Sequence, residues 1–182
     1  MKRTLTVISF ILFVSLILNA SFMGRLSISE ELSYQKYNKI WESPDIQYFS
    51  VESIASNPTI SSSFDYIFGE VFGLTVGTEF GYQTSIEDRN RFVSFPKNIN
   101  GTIGTGIVIK INSVRISIEA LLRSSFQLTR NVWISQIGGK AGVSYVFPFG
   151  LSLDLSYKYL NSYRMITSAF SVGMGYQFGG IK

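Results

Sequence analysis

The sequence predicts an all-β fold: a closed, antiparallel, up-and-down transmembrane β-barrel, most simply of eight strands. Three observations carry this. From residue 58 onward apolar side chains recur at every second position, which is the period of a strand. The segments so marked are about ten residues long, enough to cross a bilayer at the tilt of a barrel strand. The connections between them alternate between short and longer ones, as tight turns and outer loops do in such barrels.

Seven strands can be drawn directly. Thr59–Phe68 and Leu74–Gln83 are joined by the turn sequence GEVFG, Thr102–Lys110 and Val114–Arg123 by INS, and Gln136–Phe147 and Leu151–Leu160 by PFG. Ser168–Phe178 is the last. The connection Thr84–Gly101 is long and charged, with Glu87, Asp88, Arg89 and Arg91; Gln127–Trp133 and Asn161–Ile166 are shorter. An even strand count places an eighth strand between Phe22 and Asn57. Ser43-Pro44-Asp45 has the composition of a turn. Leu26–Glu42 and Ile46–Phe68 are therefore expected to form one long hairpin that projects beyond the membrane, broken near Asn57-Pro58. Glu30 falls on the apolar parity of Leu26 and Ile28, a defect in this pattern. The rival reading is a short helix at Ser29–Trp41 followed by a first strand at Ile46–Ser56.

The two faces differ in kind. One carries residues such as Ile60, Phe64, Leu74, Val76, Ile103, Ile107, Ile116, Ile118, Leu153, Leu155, Val172 and Met174, and no charge in any of the seven strands. The other carries Asp65, Glu79, Lys110, Arg115, Glu119, Arg123, Lys140, Asp154 and Lys158, among many Ser and Gly residues. A soluble barrel or sandwich also alternates, but there the polar face is the solvated one. A face rich in Gly and Ser suits a cramped lumen better. The aromatics also favour lipid outside. Tyr66, Phe68, Phe72, Tyr145, Phe147, Phe149, Tyr176 and Phe178 gather at the tight-turn end, and Tyr82, Phe126, Trp133, Tyr157, Tyr159 and Phe170 at the other. Two such girdles are expected where strands cross the bilayer interfaces.

Composition agrees. Of the 182 residues, 46% are hydrophobic and only 15% charged, against about 25% in ordinary soluble domains. Met1–Ala20 has a basic start in Lys2 and Arg3, an apolar run from Leu5 to Leu18, and a small residue at Ala20. That is the anatomy of a cleaved signal peptide, leaving 21–182 as the barrel domain. The run is shorter than the roughly twenty residues of a spanning helix.

The last strand, AFSVGMGYQF, sets Phe170, Val172, Met174, Tyr176 and Phe178 at alternate positions. It resembles the C-terminal strand of outer-membrane β-barrels, where the final aromatic strand is read by the barrel-assembly machinery. In that family the aromatic usually ends the chain; here Gly179, Gly180, Ile181 and Lys182 follow. With the leader and the paired strands, the chain is similar to small barrels of the outer membrane protein A and X type over nearly the whole mature sequence. The resemblance implies a bacterial outer-membrane location, contact with outer-membrane lipid, and insertion by that machinery, with the chain as a monomer.

The chemistry available is narrow. With no Cys and no His, Ser–His and Cys–His catalysis and the usual zinc sites are excluded, and no cofactor or catalytic residue is expected. The formal charge of +4 owes half to Lys2 and Arg3 and forms no basic stripe, so nucleic acid is not an expected partner. The nine lumenal charges, four acids and five bases, are expected to pair across the lumen, because charges withdrawn from water need partners. Glu119 and its neighbours in space are the central candidates, with Arg115 and Arg123 reaching along the same strand face; strand register, and so the pairing, is not readable from the sequence. Two functions follow: a structural or surface-interaction barrel without catalysis, or a narrow, porin-like channel for small solutes. Arg89, Arg91, Lys97, Arg130 and Arg164, and the aromatics Phe92 and Phe95, lie in the outer connections, but no motif there identifies a ligand.

Overall fold

A computed structural model describes residues 21–37, 51–69, 71–88, 97–128, 131–163 and 165–179; for residues 37, 51 and 85–88 it describes the backbone alone. The expected leader Met1–Ala20, the turn at Ser43-Pro44-Asp45, and Arg89, Arg91, Phe92, Phe95, Arg130 and Arg164 lie outside the described residues.

The chain forms eight strands: β1 (Ser21–Tyr37), β2 (Val51–Phe68), β3 (Phe72–Asp88), β4 (Asn98–Ile111), β5 (Val114–Gln127), β6 (Val132–Val146), β7 (Leu151–Asn161) and β8 (Met165–Gly179). Each pairs antiparallel with the next, and β1 pairs with β8 from Met23↔Gly179 to Tyr37↔Met165, so the sheet closes into a barrel. Closure leaves no free sheet edge, the condition for strands to stand in lipid.

The seven strands read from the sequence are present, several of them longer than the apolar alternation alone marks. The eighth is β1, and it settles two expectations. Ser29–Tyr37 is strand, not helix, and β2 runs through Asn57-Pro58 without a chain break. The interruption there is confined to one ladder. β1 pairs with both residues (Glu31↔Asn57, Glu30↔Pro58), while the β2–β3 register passes from Ser56↔Thr84 to Thr59↔Gly81. Proline has no N–H to give a ladder, so one side of the strand loses its bond and the other keeps the strand straight.

The barrel wall is not level. At the end away from the tight turns, β3 pairs with β4 only as far as Gln83↔Asn98, but with β2 as far as Ser53↔Asp88, past a register shift at Ile54/Ala55. The β6–β7 ladder stops at Ile137↔Asn161. The β2–β3 hairpin therefore runs on past β4, as the β5–β6 hairpin, paired to Gln127↔Val132, runs on past β7. The part of β3 beyond Gln83 adds roughly 17 Å of strand. At the other end the turns are tight, with left-handed backbone at Gly69, Asn112 and Gly150, residue types that tolerate it.

Lumenal glycines let the strands approach closely rather than hold a path open. A Cβ at Gly106 would collide with the Ile118 carbonyl on β5, and one at Gly138 with the Tyr159 carbonyl on β7. The outward face keeps its parity throughout the seven strands: Ile118 and Leu153 are 59% and 47% exposed. On β1, Phe22, Leu26, Ile28 and Leu32 also face outward.

Candidate functional site: a charge-braced lumen

The inward parity of all eight strands meets in a filled lumen, built in layers. Nearest the loop end is a layer of carboxamides. Gln35 and Gln83 bond each other reciprocally at 2.8 and 2.9 Å. Asn100 donates to Asn57 Oδ1 (3.2 Å), and Gln136 to Thr167 Oγ1 (3.0 Å). All of these side chains are buried, as are Asn98 and Gln127.

Beneath lies a web of shared charges. Glu31 of β1 is its hub: Arg123 Nη2 donates to both Glu31 oxygens (3.0 and 2.9 Å), Lys158 Nζ donates to Oε2 (2.7 Å), and Asn57 Nδ2 to Oε1 (3.2 Å). Lys158 also donates to Glu79 Oε2 (2.5 Å), whose other oxygen takes Lys140 Nζ (2.9 Å). Lys140 stands 3.6 Å from Glu119 Oε1, which accepts from Ser117 Oγ at 2.9 Å. Glu31 is 0%, Lys158 2% and Arg123 2% exposed, so these charges are removed from water and survive there only as a mutually satisfied set.

Toward the tight turns the charges stand in separate pairs. Arg115 makes a two-bond fork onto Asp65 (Nε to Oδ2 2.6 Å, Nη2 to Oδ1 2.7 Å) and reaches Thr75 Oγ1 at 3.1 Å. Arg25 Nη1 donates to Asp154 Oδ1 (2.8 Å) and Ser144 Oγ (2.6 Å). An apolar cluster of Met23, Ile67 and Val108 fills the lumen at the turn end.

Of the nine charges read from the sequence, Asp65, Glu79, Arg115, Glu119, Arg123, Lys140, Asp154 and Lys158 each have an opposite charge within 4 Å. Lys110 faces the same lumen, but its contact is the thioether of Met23, at 3.4 Å. The centre is not Glu119. Arg115 and Arg123 turn away from it, to Asp65 and Glu31, because partners across a narrow lumen lie closer to a long side chain's end than neighbours along its own strand. Two members were missed, Arg25 and Glu31. Their signal was present in the alternation Met23, Arg25, Ser27, Ser29, Glu31, Ser33, Gln35. It was hidden by Glu30, which does face outward and accepts a hydrogen bond from Ser56 Oγ.

The residues of the C-terminal aromatic pattern, Phe170, Val172, Met174, Tyr176 and Phe178, all face outward on β8. The ring of Phe178 lies over Gly24 at the β1–β8 seam. Two small polar cavities lie between the lumenal side chains of the described residues, of about 30 and 10 Å³, both touching Arg25, Glu79 and Lys140. A cavity needs roughly 10–15 Å³ to hold a single water. Among the described residues no group of three His, Cys, Asp or Glu side chains could hold a metal ion.

This fold, a closed eight-stranded antiparallel barrel with an apolar outer wall and a braced interior, is that of small outer-membrane β-barrels. Among solved structures, the chain is similar to Neisserial surface protein A (14% identity, 87% of this chain and 99% of that one, TM-score 0.51). It is also similar to Ail, the attachment invasion locus protein of Yersinia pestis, in complex with the heparin analogue sucrose octasulfate (15% identity, 86% and 99%, TM-score 0.50). OprG, an outer membrane protein of Pseudomonas aeruginosa, aligns over 87% of this chain at 11% identity and a TM-score of 0.47. No protein-family description matches the chain, and no curated protein matches it by sequence.

Proposed function

We propose that the chain is an integral bacterial outer-membrane protein, exported behind a leader cleaved near Ala20, whose lumen is a structural brace and whose role is carried out at the outer surface without catalysis. The supporting observation is the lumen itself. Its acids and bases are cross-linked by side chains a few per cent exposed at most around Glu31, and the two polar cavities beside Arg25, Glu79 and Lys140 measure only about 30 and 10 Å³. A path for solutes would require those ion pairs to open, and breaking one partner of a buried pair costs about 3–5 kcal/mol. Catalysis has little to work with, since the lumenal carboxylates that could act as bases are held by Arg and Lys.

The uneven rim supports a surface role. The β2–β3 and β5–β6 hairpins run on past β4 and β7, and the connections at that end carry Arg89, Arg91, Arg130 and Arg164. Ail has been solved with a sulfated heparin analogue; an anionic surface ligand is a corresponding proposal for this chain. Outer-membrane lipid surrounds the apolar face in this reading, and the β8 pattern serves the assembly machinery during insertion of a monomer. The test is single-channel recording in a planar bilayer. The wild-type barrel is expected to give no steady conductance; a stable ohmic current would instead establish the narrow-channel reading.

A further inference from the structure

Among the described residues the lumen contains one cation more than its pairs can use. Glu31, Asp65, Glu79, Glu119 and Asp154 are met by Arg25, Arg115, Arg123, Lys140 and Lys158. Lys110 is the sixth base, and among the described residues no carboxylate lies within 4 Å of it. It stands directly across from Arg115 in the β4–β5 register, a like charge that disfavours it. Its ammonium and the Gln177 amide both point at a single weak acceptor, Met23 Sδ, at 3.4 and 3.3 Å. Strong donors sharing one thioether are under-satisfied. These groups also line an open cleft of about 520 Å³ at the tight-turn end, which Asn112, Ser113 and the backbone turn of Phe147–Gly150 complete.

We propose that this cleft is an anion site for a phosphate group, entered from the turn end, which is the periplasmic end in the proposed orientation. Lys110 supplies the charge, and Gln177 with the Asn112–Ser113 turn supplies neutral donors. A phosphate has acceptors enough for all of them at once. The apolar cluster of Met23, Ile67 and Val108 closes the lumen beyond, so the anion docks at the mouth and does not pass through. The girdle aromatics Phe149, Tyr176 and Phe178 border the same cleft, which puts it at the depth where a lipid phosphate could reach it as well as a free one.

The protein, folded in phosphate-free maltoside micelles, is titrated with inorganic phosphate and, separately, with a soluble short-chain phosphatidylglycerol, while the backbone amide resonances of Asn112, Ser113 and Gly150 are followed. Saturable shifts are expected with at least one of the two. A response to the lipid alone identifies a head-group site, and a response to both identifies a general phosphate site. Lys110→Gln is expected to weaken binding at least tenfold and to fold normally, since it removes an unpaired charge; Gln177→Leu weakens it less, and Lys97→Gln at the opposite end leaves it unchanged. No saturable shift, or equal affinity in Lys110→Gln, overturns the site.

Discussion

The two halves of the lumen solve the same problem differently. In the loop-end half, Glu31 and Glu79 are each shared between two bases and Lys158 between two acids. In the turn-end half, Arg115–Asp65 and Arg25–Asp154 stand as separate pairs, each helped by a hydroxyl. A shared web ties strands β1, β3, β5, β6 and β7 to one another at a single level, so a change at its hub is felt around the barrel. A separate pair ties two strands only. The difference teaches that the number of lumenal charges matters less than how many partners each one holds.

The largest effect should come from the hub. Glu31→Gln leaves Arg123 with no carboxylate and Lys158 with one, and is expected to cost about 3–5 kcal/mol. Denaturant titration of the barrel in lipid vesicles measures this; a loss no larger than that of a surface substitution breaks the distinction between web and pair. Next is the contrast of faces on β5. Ile118→Arg places a charge on the outward side and should cost about 2–4 kcal/mol if it lies near the bilayer midplane, read by the same titration. No measurable loss would mean that this face meets water.

The separate pairs should behave as a unit. Asp65→Leu alone strands the Arg115 guanidinium and is expected to cost about 3 kcal/mol, whereas the double variant Asp65→Leu/Arg115→Met should return to within about 1 kcal/mol of the wild type. The cycle sharpens the comparison, because the corresponding double change at Glu31 and Arg123 also takes one of the two carboxylates of Lys158 and leaves it to Glu79 alone, so recovery there is expected to be less complete. The smallest effect is expected at Glu119. Its one ion contact is 3.6 Å long, a glutamine can still accept from Ser117, and Lys140 keeps Glu79, so Glu119→Gln should lower stability by less than either Glu31→Gln or Asp65→Leu. A loss equal to that of Glu31→Gln would restore Glu119 to the centre of the network.

How much of this was legible in the chain divides along one physical line. Alternation is local: a side chain's face follows from counting by two along its own strand. Ile116, Ile118 and Leu153 could thus be set outside, and Asp65, Glu79 and Lys158 inside, from the sequence alone. Strand number, turn ends and barrel class followed from the same count and from the even-number rule. Register is not local. Which residue faces which across a closed sheet depends on how eight strands slide against one another, and no single strand encodes that. Hence the choice of Asp65 for Arg115, the hub at Glu31 and the isolation of Lys110 were decided only in the tertiary structure. β1 was the hardest element for a related reason. Its outward Glu30 breaks the local pattern, and only a partner on the neighbouring strand, Ser56, makes that carboxylate acceptable there.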